Sequence, residues 1–175
     1  HNPAGRFNDY SNGAILIDDL MNLYVSFASG IRKFSVDGKL LWHFAPDAPY
    51  NDIPALWAGA LYMTLASGHV VAVDMESGKL RWKSAQACTW KSSTTNKAHA
   101  ECNCQSIGMD IGAVAVYRGV VVAKAHEPPG GGACRAVGLS ARTGEFLWDY
   151  AAEHLVWNFY PIIDDDGESF LFQDS

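Results

Sequence analysis

A short phrase that ends in tryptophan occurs three times in this sequence, and it limits the possible folds more than any other feature. The phrase reads GKLLW up to Trp42, GKLRW up to Trp82 and GEFLW up to Trp148. A second phrase precedes it, because LYVSFASG starts at residue 23 and LYMTLASG starts 38 residues later. Two phrases that recur in the same order indicate structural repeats of about 40 residues.

Each repeat is predicted to consist of β-strands. Hydrophobic and polar side chains alternate with a period of two, as in HVVAVD (69–74), and no stretch of the repeats has a helical period. A glycine before each tryptophan supplies the tight turn between two antiparallel strands; these are Gly38, Gly78 and Gly144. The first repeat is therefore expected to contain four strands, GAILID, NLYVSFA, IRKFS and KLLWHFA.

A four-stranded unit of this size cannot bury both of its faces alone, so it must stack on copies of itself. Radial stacking gives a β-propeller, in which a tryptophan at one fixed place would be buried between neighbouring blades. We predict an all-β fold, with one partial propeller domain of about three and a half four-stranded antiparallel blades from a ring of six to eight. The expected boundaries are about 13–46 for blade 1, 55–85 for blade 2, 86–108 for a cysteine-containing insertion, 109–151 for blade 3 and 155–175 for half of blade 4.

The third repeat is longer than the second. Aligning Val120 with Leu61 gives a shift of 59 residues for the first phrase, whereas the tryptophan phrase is shifted by 66 residues. This alignment predicts an insertion of seven residues, which we assign to EPPGGGA (127–133). In the half blade, an Asp-Gly turn is expected to join two inner strands within VWNFYPIIDDDGESFLFQDS, so we expect the chain to be part of a longer propeller whose remaining blades are its partners.

The run Ala72-x-Asp74-x-x-x-Gly78-Lys79-x-x-Trp82 resembles the tryptophan-docking motif of the PQQ-type propeller repeat. That family includes quinoprotein alcohol dehydrogenases and non-catalytic scaffolds such as a bacterial outer-membrane assembly lipoprotein. HNPAGR at the start also resembles the segment that leads into the first blade. The resemblance implies a structural docking role for Trp42, Trp82, Trp148, Gly38, Gly78, Gly144 and Asp74.

Two blades depart from this motif. The first blade is two residues shorter between its Ser-Gly and its final glycine, and the third blade has Gly138-x-Ser140 in place of Ala-x-Asp. The motif is specific for the fold and says little about activity.

The cysteines lie in the two insertions, with Cys88, Cys102 and Cys104 in the first and Cys134 at the end of the second. This placement favours disulfides and an oxidising location, either secreted or periplasmic. Among the three pairings, Cys102 with Cys104 is disfavoured because a one-residue loop strains the bridge. Free thiols and a zinc site that includes His99 remain alternatives, although Cys-x-Cys is not the usual spacing of zinc ligands.

Composition and motifs exclude several function classes. The net charge is −6 and the 13 basic residues are scattered, which argues against a nucleic-acid partner. No apolar run approaches the roughly 20 residues that a membrane-spanning helix needs. The sequence has no Gly-x-Ser-x-Gly, PPGGGAC lacks the Lys-Ser/Thr of a phosphate-binding loop, and DDDGE is better explained as a hairpin turn than as a calcium loop.

Two functions stay open. A non-catalytic propeller would bind a protein or glycan through loops 83–119 and 127–133, and we favour this hypothesis. In the alternative, the chain belongs to a PQQ-dependent oxidoreductase of the alcohol or sugar dehydrogenase type. The resemblance then implies PQQ and calcium in the complete protein, held by Glu, Asn and Asp, with an Asp base. No residue here can be assigned to catalysis, to the cofactor or to a metal, and the adjacent Cys-Cys pair of many such enzymes is missing. We therefore expect no cofactor on this chain alone.

Overall fold

The computed structural model describes eight segments of the chain, at residues 11–27, 29–48, 53–65, 67–85, 113–126, 134–151, 160–164 and 169–171. The strands of the first sheet are β1 (Ser11–Ile17), β2 (Leu23–Phe27), β3 (Gly30–Phe34) and β4 (Leu40–Phe44). Those of the second are β5 (Ala55–Trp57), β6 (Ala60–Thr64), β7 (Val70–Asp74) and β8 (Leu80–Lys83). Those of the third are β9 (Ala115–Tyr117), β10 (Val120–His126), β11 (Cys134–Ser140) and β12 (Phe146–Ala151). A two-stranded sheet follows, with β13 (Ile162–Ile163) and β14 (Phe170–Leu171).

Every sheet is an antiparallel meander, because its strands are hydrogen-bonded in the order in which they follow one another along the chain. The eight segments contain no helix, and so no helix with the length and hydropathy that a membrane crossing requires. The predicted architecture is confirmed: the chain is all-β and forms a partial β-propeller of four-stranded antiparallel blades.

Strand pairing corrects the predicted alignment of the second and third sheets. Leu61 pairs with Leu56, and Val121 pairs in the same way with Val116, so these strands are shifted by 60 residues rather than 59. The turns at 58–59 and 118–119 fix this register, since both have two consecutive residues with positive φ. The sequence alignment was misled by three successive valines at 120–122, although Gly59 and Gly119, which are 60 residues apart, mark the correct register. The insertion between the two phrases is therefore six residues.

Alternation of side chains gives each sheet two faces. We use "leading face" for the face toward the preceding sheet along the chain, and "trailing face" for the face toward the following sheet. A buried cluster lies between the first and second sheets. It consists of residues on the trailing face of the first sheet, residues on the leading face of the second sheet, and Leu65. Its members are Tyr24, Ile31, Leu61, Met63, Leu65, Val71 and Val73. Stacking thus buries what a single sheet would expose.

The second and third sheets meet in the same manner. Their cluster joins the trailing face of the second sheet, including Tyr62 and Ala72, to the leading face of the third, including Val121, Val137 and Leu139. A backbone bridge between Ile53 and Ala113 also links the segments that precede β5 and β9. These two junctions position the predicted site residues.

Candidate functional site

Two of the predicted tryptophans each reach across to the turn of the following sheet. The indole Nε1 of Trp42 donates a hydrogen bond to the carbonyl oxygen of Met75 at 3.1 Å. Its ring lies on Gly78, where an added Cβ would be 2.7 Å from Trp42 Cγ. Gly78 has a φ of 69°, so it supplies both the turn conformation and the space for the ring.

The second junction repeats this geometry. Trp82 Nε1 donates to the carbonyl oxygen of Ala141 at 3.0 Å, and a Cβ at Gly144 would be 2.6 Å from Trp82 Cε3. Tyr62 Oη also donates to the Ala141 carbonyl oxygen, at 3.3 Å. The structure therefore brings Trp42 and Trp82 onto the turn glycines of the sheets that follow them.

The other two predicted positions of this type have different surroundings. Trp148 lies on Gly138 of its own sheet, where an added Cβ would be 2.6 Å from Trp148 Cζ2. This contact explains why the third blade has a glycine in place of the motif's alanine, because an alanine would collide with the indole. At Gly38, which has a φ of 77°, an added Cβ would meet no heavy atom within 4 Å.

Asp74 holds the turn that carries Gly78. Its Oδ1 accepts hydrogen bonds from the Ser77 backbone nitrogen and hydroxyl, both at 2.8 Å, and its Oδ2 accepts from Arg81 Nη2 at 2.8 Å. These bonds, first that from the Ser77 backbone and then that from Arg81, hold the pKa of Asp74 well below its usual range. Asp74 is therefore a structural carboxylate that orders the turn.

A buried polar network at the first junction was missed by the sequence analysis. Lys33 is 7% exposed, and its Nζ donates a hydrogen bond of 2.9 Å to the carbonyl oxygen of Met75. Trp42 donates to the same oxygen. Lys33 Nζ also lies 3.4 Å from Asp18 Oδ2, which accepts a hydrogen bond of 2.9 Å from Tyr24 Oη. Lys33 occupies the place that Ala72 holds in the second sheet, since each pairs with the tryptophan of its sheet. A lysine at the motif's alanine position was the signal that could have found it.

Opposing effects set the pKa of Asp18. Burial raises it, but hydrogen bonds from the Asn22 side chain and backbone and from Tyr24 outweigh burial, and together with the charge of Lys33 they lower the pKa to about 2. Burial and the hydrogen bond to Asp18 raise the pKa of Tyr24. The carboxylate of Asp18 is ionised and hydrogen-bonded, so it serves the network that links the two sheets and is not free to act as a catalytic base.

A second buried lysine, Lys124, lies in the third sheet. Lys124 on β10 is 2% exposed, and its Nζ has no hydrogen-bond partner within the described part of the chain. Its counterpart in the second sheet is Thr64, because Lys124 pairs with Ala136 as Thr64 pairs with Val70. Burial of an amine without a hydrogen-bond partner opposes folding.

The two insertions of the chain attach at one end of the sheets, which we call the loop end. Here β8 ends at Lys83 and β9 begins at Ala115, and here also β10 ends at His126 beside Cys134, the first residue of β11. An ion pair of 2.6 Å between Lys83 Nζ and Asp47 Oδ2 ties β8 to the segment before β5 at this end. The loop end thus combines a fixed β-frame with both insertions of the chain.

The predicted cysteine cluster lies mostly outside the described residues. This holds for Cys88, Cys102 and Cys104, as well as for His99. The placement of Cys134 in the second insertion is wrong, because its pairing with His126 makes this residue the first of β11. Among the described residues there is no group of three or more His, Cys, Asp or Glu side chains that could hold a metal ion.

Comparison with solved structures shows a shared fold. Quinohemoprotein alcohol dehydrogenase from Comamonas testosteroni has a TM-score of 0.60 and 19% identity, and the match covers 90% of this chain and 22% of that one. BamB from Moraxella catarrhalis has a TM-score of 0.58 and 17% identity, with 91% of this chain and 41% of that one covered. The computationally designed Ika4 protein has a TM-score of 0.61 and 15% identity, with 97% and 94% covered. This chain therefore spans about a fifth of the alcohol dehydrogenase and less than half of BamB.

No curated protein sequence matches the chain significantly. A family model described as "Outer membrane protein assembly factor BamB" matches residues 27–156, which include all three tryptophan phrases. The recurrent turn and tryptophan geometry lies within this matched region. The chain therefore belongs to the PQQ-like β-propeller repeat family, whose matching model is described as outer membrane protein assembly factor BamB.

Proposed function

We propose that this chain is a non-catalytic PQQ-like β-propeller module that binds a protein or glycan through its loop end. The observation that carries this proposal is that both insertions join the frame at the same end. Segments 84–112 and 127–133 both begin and end there, so together they would form one continuous recognition surface. Long connections on a rigid scaffold are common sites of specific binding.

The described frame supports a scaffolding role. Lys33, Trp42 and Trp82 direct their polar atoms to carbonyl groups of the following sheet, and Asp74 directs its carboxylate to its own turn. The first three groups therefore connect neighbouring sheets, and Asp74 orders the turn that receives Trp42. The family description names an assembly factor, which supports a protein as the binding partner.

We further propose that disulfides brace the loop end in an extracytoplasmic compartment. In this arrangement Cys88 pairs with Cys102 or Cys104, and the other of these two pairs with Cys134. The position of Cys134 supports a bridge between the insertions, since β11 begins where segment 84–112 also joins the frame. The outer-membrane term in the family description supports the location.

The cysteine proposal is tested by counting free thiols in the unfolded, unreduced protein and mapping linked peptides by mass spectrometry. Two bridges predict no free thiol and a peptide that links Cys134 to Cys102 or Cys104. Four free thiols would contradict the bridges. Zinc that is released together with four thiols would instead support the metal site.

The alternative is a piece of a quinoprotein oxidoreductase, which the match to quinohemoprotein alcohol dehydrogenases favours. In that case PQQ and calcium would bind to the complete protein. Our proposal predicts that the 175-residue chain does not bind PQQ, and a titration with PQQ and calcium followed by tryptophan fluorescence measures this. Saturable quenching at micromolar PQQ would contradict the proposal and support the alternative.

Binding through the loop end is tested by shortening one insertion. A variant in which residues 86–108 are replaced by a short Gly-Ser linker should keep its β-sheet circular dichroism but lose the proteins or glycans captured by the immobilised parent chain. The matched control carries an additional Gly-Ser pair in the exposed 36–38 turn at the opposite end of the sheets. Capture that is equal for the shortened variant and the parent would contradict a role for the loop end.

A further inference from the structure

One buried polar atom among the described residues is left without a hydrogen-bond partner. It is Nζ of Lys124, a residue that is only 2% exposed. Buried polar groups are hydrogen-bonded in the great majority of cases, so each exception calls for an explanation. An amine that the surrounding strands leave unpaired is a candidate for pairing with a group that a ligand brings.

Lys124 lies close to the loop end of the third sheet. It pairs with Ala136, and β10 and β11 continue beyond this row for two more residues, to His126 and Cys134. Segment 127–133 begins directly after these strands separate. Two residues of a strand span about 7 Å, a distance that a flexible lysine side chain can bridge. A ligand group that enters from the loop end therefore has only a short distance to cover.

The corresponding positions in the other two sheets carry short hydroxyl side chains. These are Ser26 in the first sheet and Thr64 in the second, as the strand pairing shows. Both are as deeply buried as Lys124, with exposures of 1% and 2%. The blade frame therefore does not require a long basic side chain here. The lysine is specific to the sheet that carries the second insertion.

The buried carboxylate of the third sheet lies on the opposite face from Lys124. Asp149 is 7% exposed and pairs with Val137, which belongs to the cluster on the leading face. Lys124 pairs with Ala136, and successive residues of a strand lie on opposite faces, so Lys124 is on the trailing face. The sheet itself separates the two groups.

A carboxylate is the acceptor that best fits one buried lysine. Lys33 shows such a pair within this chain, because its Nζ lies 3.4 Å from Asp18 Oδ2. A carboxylate carries one negative charge and matches a single amine, whereas a phosphate group carries more charge and is commonly held by several donors. A carboxylate would accept the hydrogen bond and would favour the protonated amine by charge attraction.

We propose that Lys124 binds a carboxylate of the protein that docks at the loop end, supplied by an aspartate or glutamate side chain of that partner. This inference rests on the proposed function of the loop end and adds the chemical class of its ligand. The amine is unpaired in the free chain and paired in the complex. Binding thus removes the unfavourable effect of an unpaired buried donor.

Acetate is the simplest probe of this pairing. Thermal unfolding of the 175-residue chain is followed by circular dichroism in acetate and in chloride, at equal pH and ionic strength. We expect a higher midpoint in acetate, because a ligand that binds the folded state stabilises it. Lys124→Met should abolish this difference, and Lys124→Thr, which copies Thr64, serves as a second variant. Lys39→Met is the matched control, since Lys39 is exposed at the opposite end of the sheets, and it should retain the difference.

A short polyglutamate peptide tests the protein ligand. Surface plasmon resonance on the immobilised parent chain should show binding, which Lys124→Met should weaken at least about tenfold. Replacing residues 86–108 by a Gly-Ser linker should weaken peptide binding but leave the acetate effect intact. Peptide binding that is unchanged by the shortened loop would contradict the proposed function alone. Acetate and peptide effects that are unchanged by Lys124→Met would contradict this inference alone.

Four further results would overturn the inference. Equal midpoints of the parent in acetate and in chloride would leave water as the acceptor. Stabilisation by inorganic phosphate but not by acetate would indicate an anion of another class. An acetate effect without peptide binding would identify a free small carboxylate as the ligand in place of a protein side chain. A Lys124→Met variant that is less stable than the parent in chloride would place the acceptor within the chain itself.

Discussion

The contact between Trp42 and Gly78 can be tested by adding one methyl group to each of two turn glycines. Gly38 and Gly78 have similar backbone conformations, with φ of 77° and 69°. A Cβ at Gly38 would meet nothing within 4 Å, whereas one at Gly78 would be 2.7 Å from the Trp42 ring. Gly38→Ala therefore measures the backbone cost alone, and Gly78→Ala adds the collision with Trp42.

The magnitudes follow from these two effects. A left-handed conformation costs an alanine about 1–2 kcal/mol, so Gly38→Ala should lower the free energy of unfolding by that amount. Overfilling a packed site costs about 1–3 kcal/mol more, which gives about 2–5 kcal/mol for Gly78→Ala. Gly144→Ala should behave like Gly78→Ala, since its Cβ would be 2.6 Å from Trp82 Cε3.

Urea denaturation followed by circular dichroism measures all three variants against the parent chain. The comparison requires single transitions with unchanged m-values, so that the change in midpoint reports stability. Equal losses for Gly38→Ala and Gly78→Ala would refute the reasoning, because the indole would then contribute nothing at the turn.

Three further predictions concern buried groups. Trp82→Ala should lower the free energy of unfolding by about 3–5 kcal/mol in urea denaturation, because it leaves a cavity between two sheets. Lys33→Met should lower the free energy of unfolding and Lys124→Met should raise it, each by about 1–3 kcal/mol, since the first removes a paired donor and the second a buried amine that has no hydrogen-bond partner among the described residues; thermal unfolding of both variants checks the signs. The folded-state pKa of Asp18, about 2, is below its ordinary value of 3.8, so its stabilising contribution is complete above about pH 4 and is lost as the pH falls through 2. In acid unfolding, the Asp18→Asn variant should not show this loss of stability below about pH 4.

The strands and turns could be predicted because they depend on local sequence. Alternation in 69–74 fixed two faces for β7, and Gly78 marked a turn that any antiparallel pair of this length requires. The register of β10 was predicted wrongly because three consecutive valines are equivalent in hydrophobicity and shape. The turn glycines Gly59 and Gly119, which are 60 residues apart and have positive φ, mark the correct pairing.

The polar contacts between sheets were beyond the sequence because they depend on tertiary neighbours. The lysine at the motif's alanine position marks Lys33 as unusual, but the local sequence does not predict that its amine reaches Met75, which is 42 residues away. Lys124 is also a buried lysine on a strand, but it lacks a hydrogen-bond partner in the described part of the chain. Burial alone therefore does not define the role of a lysine here, and the geometry of the facing sheet decides it.

The acceptor at each sheet junction is a backbone carbonyl, at Met75 in one case and Ala141 in the other. The indole is thus recognised by the main chain, and the side chain at the acceptor position is free to vary from methionine to alanine. Units that keep a tryptophan donor and a glycine turn would remain compatible as neighbours even after most of their other residues had diverged. Such interchangeable joints would allow repeats to be duplicated, reordered or grafted from one chain to another, while each unit acquired its own insertions.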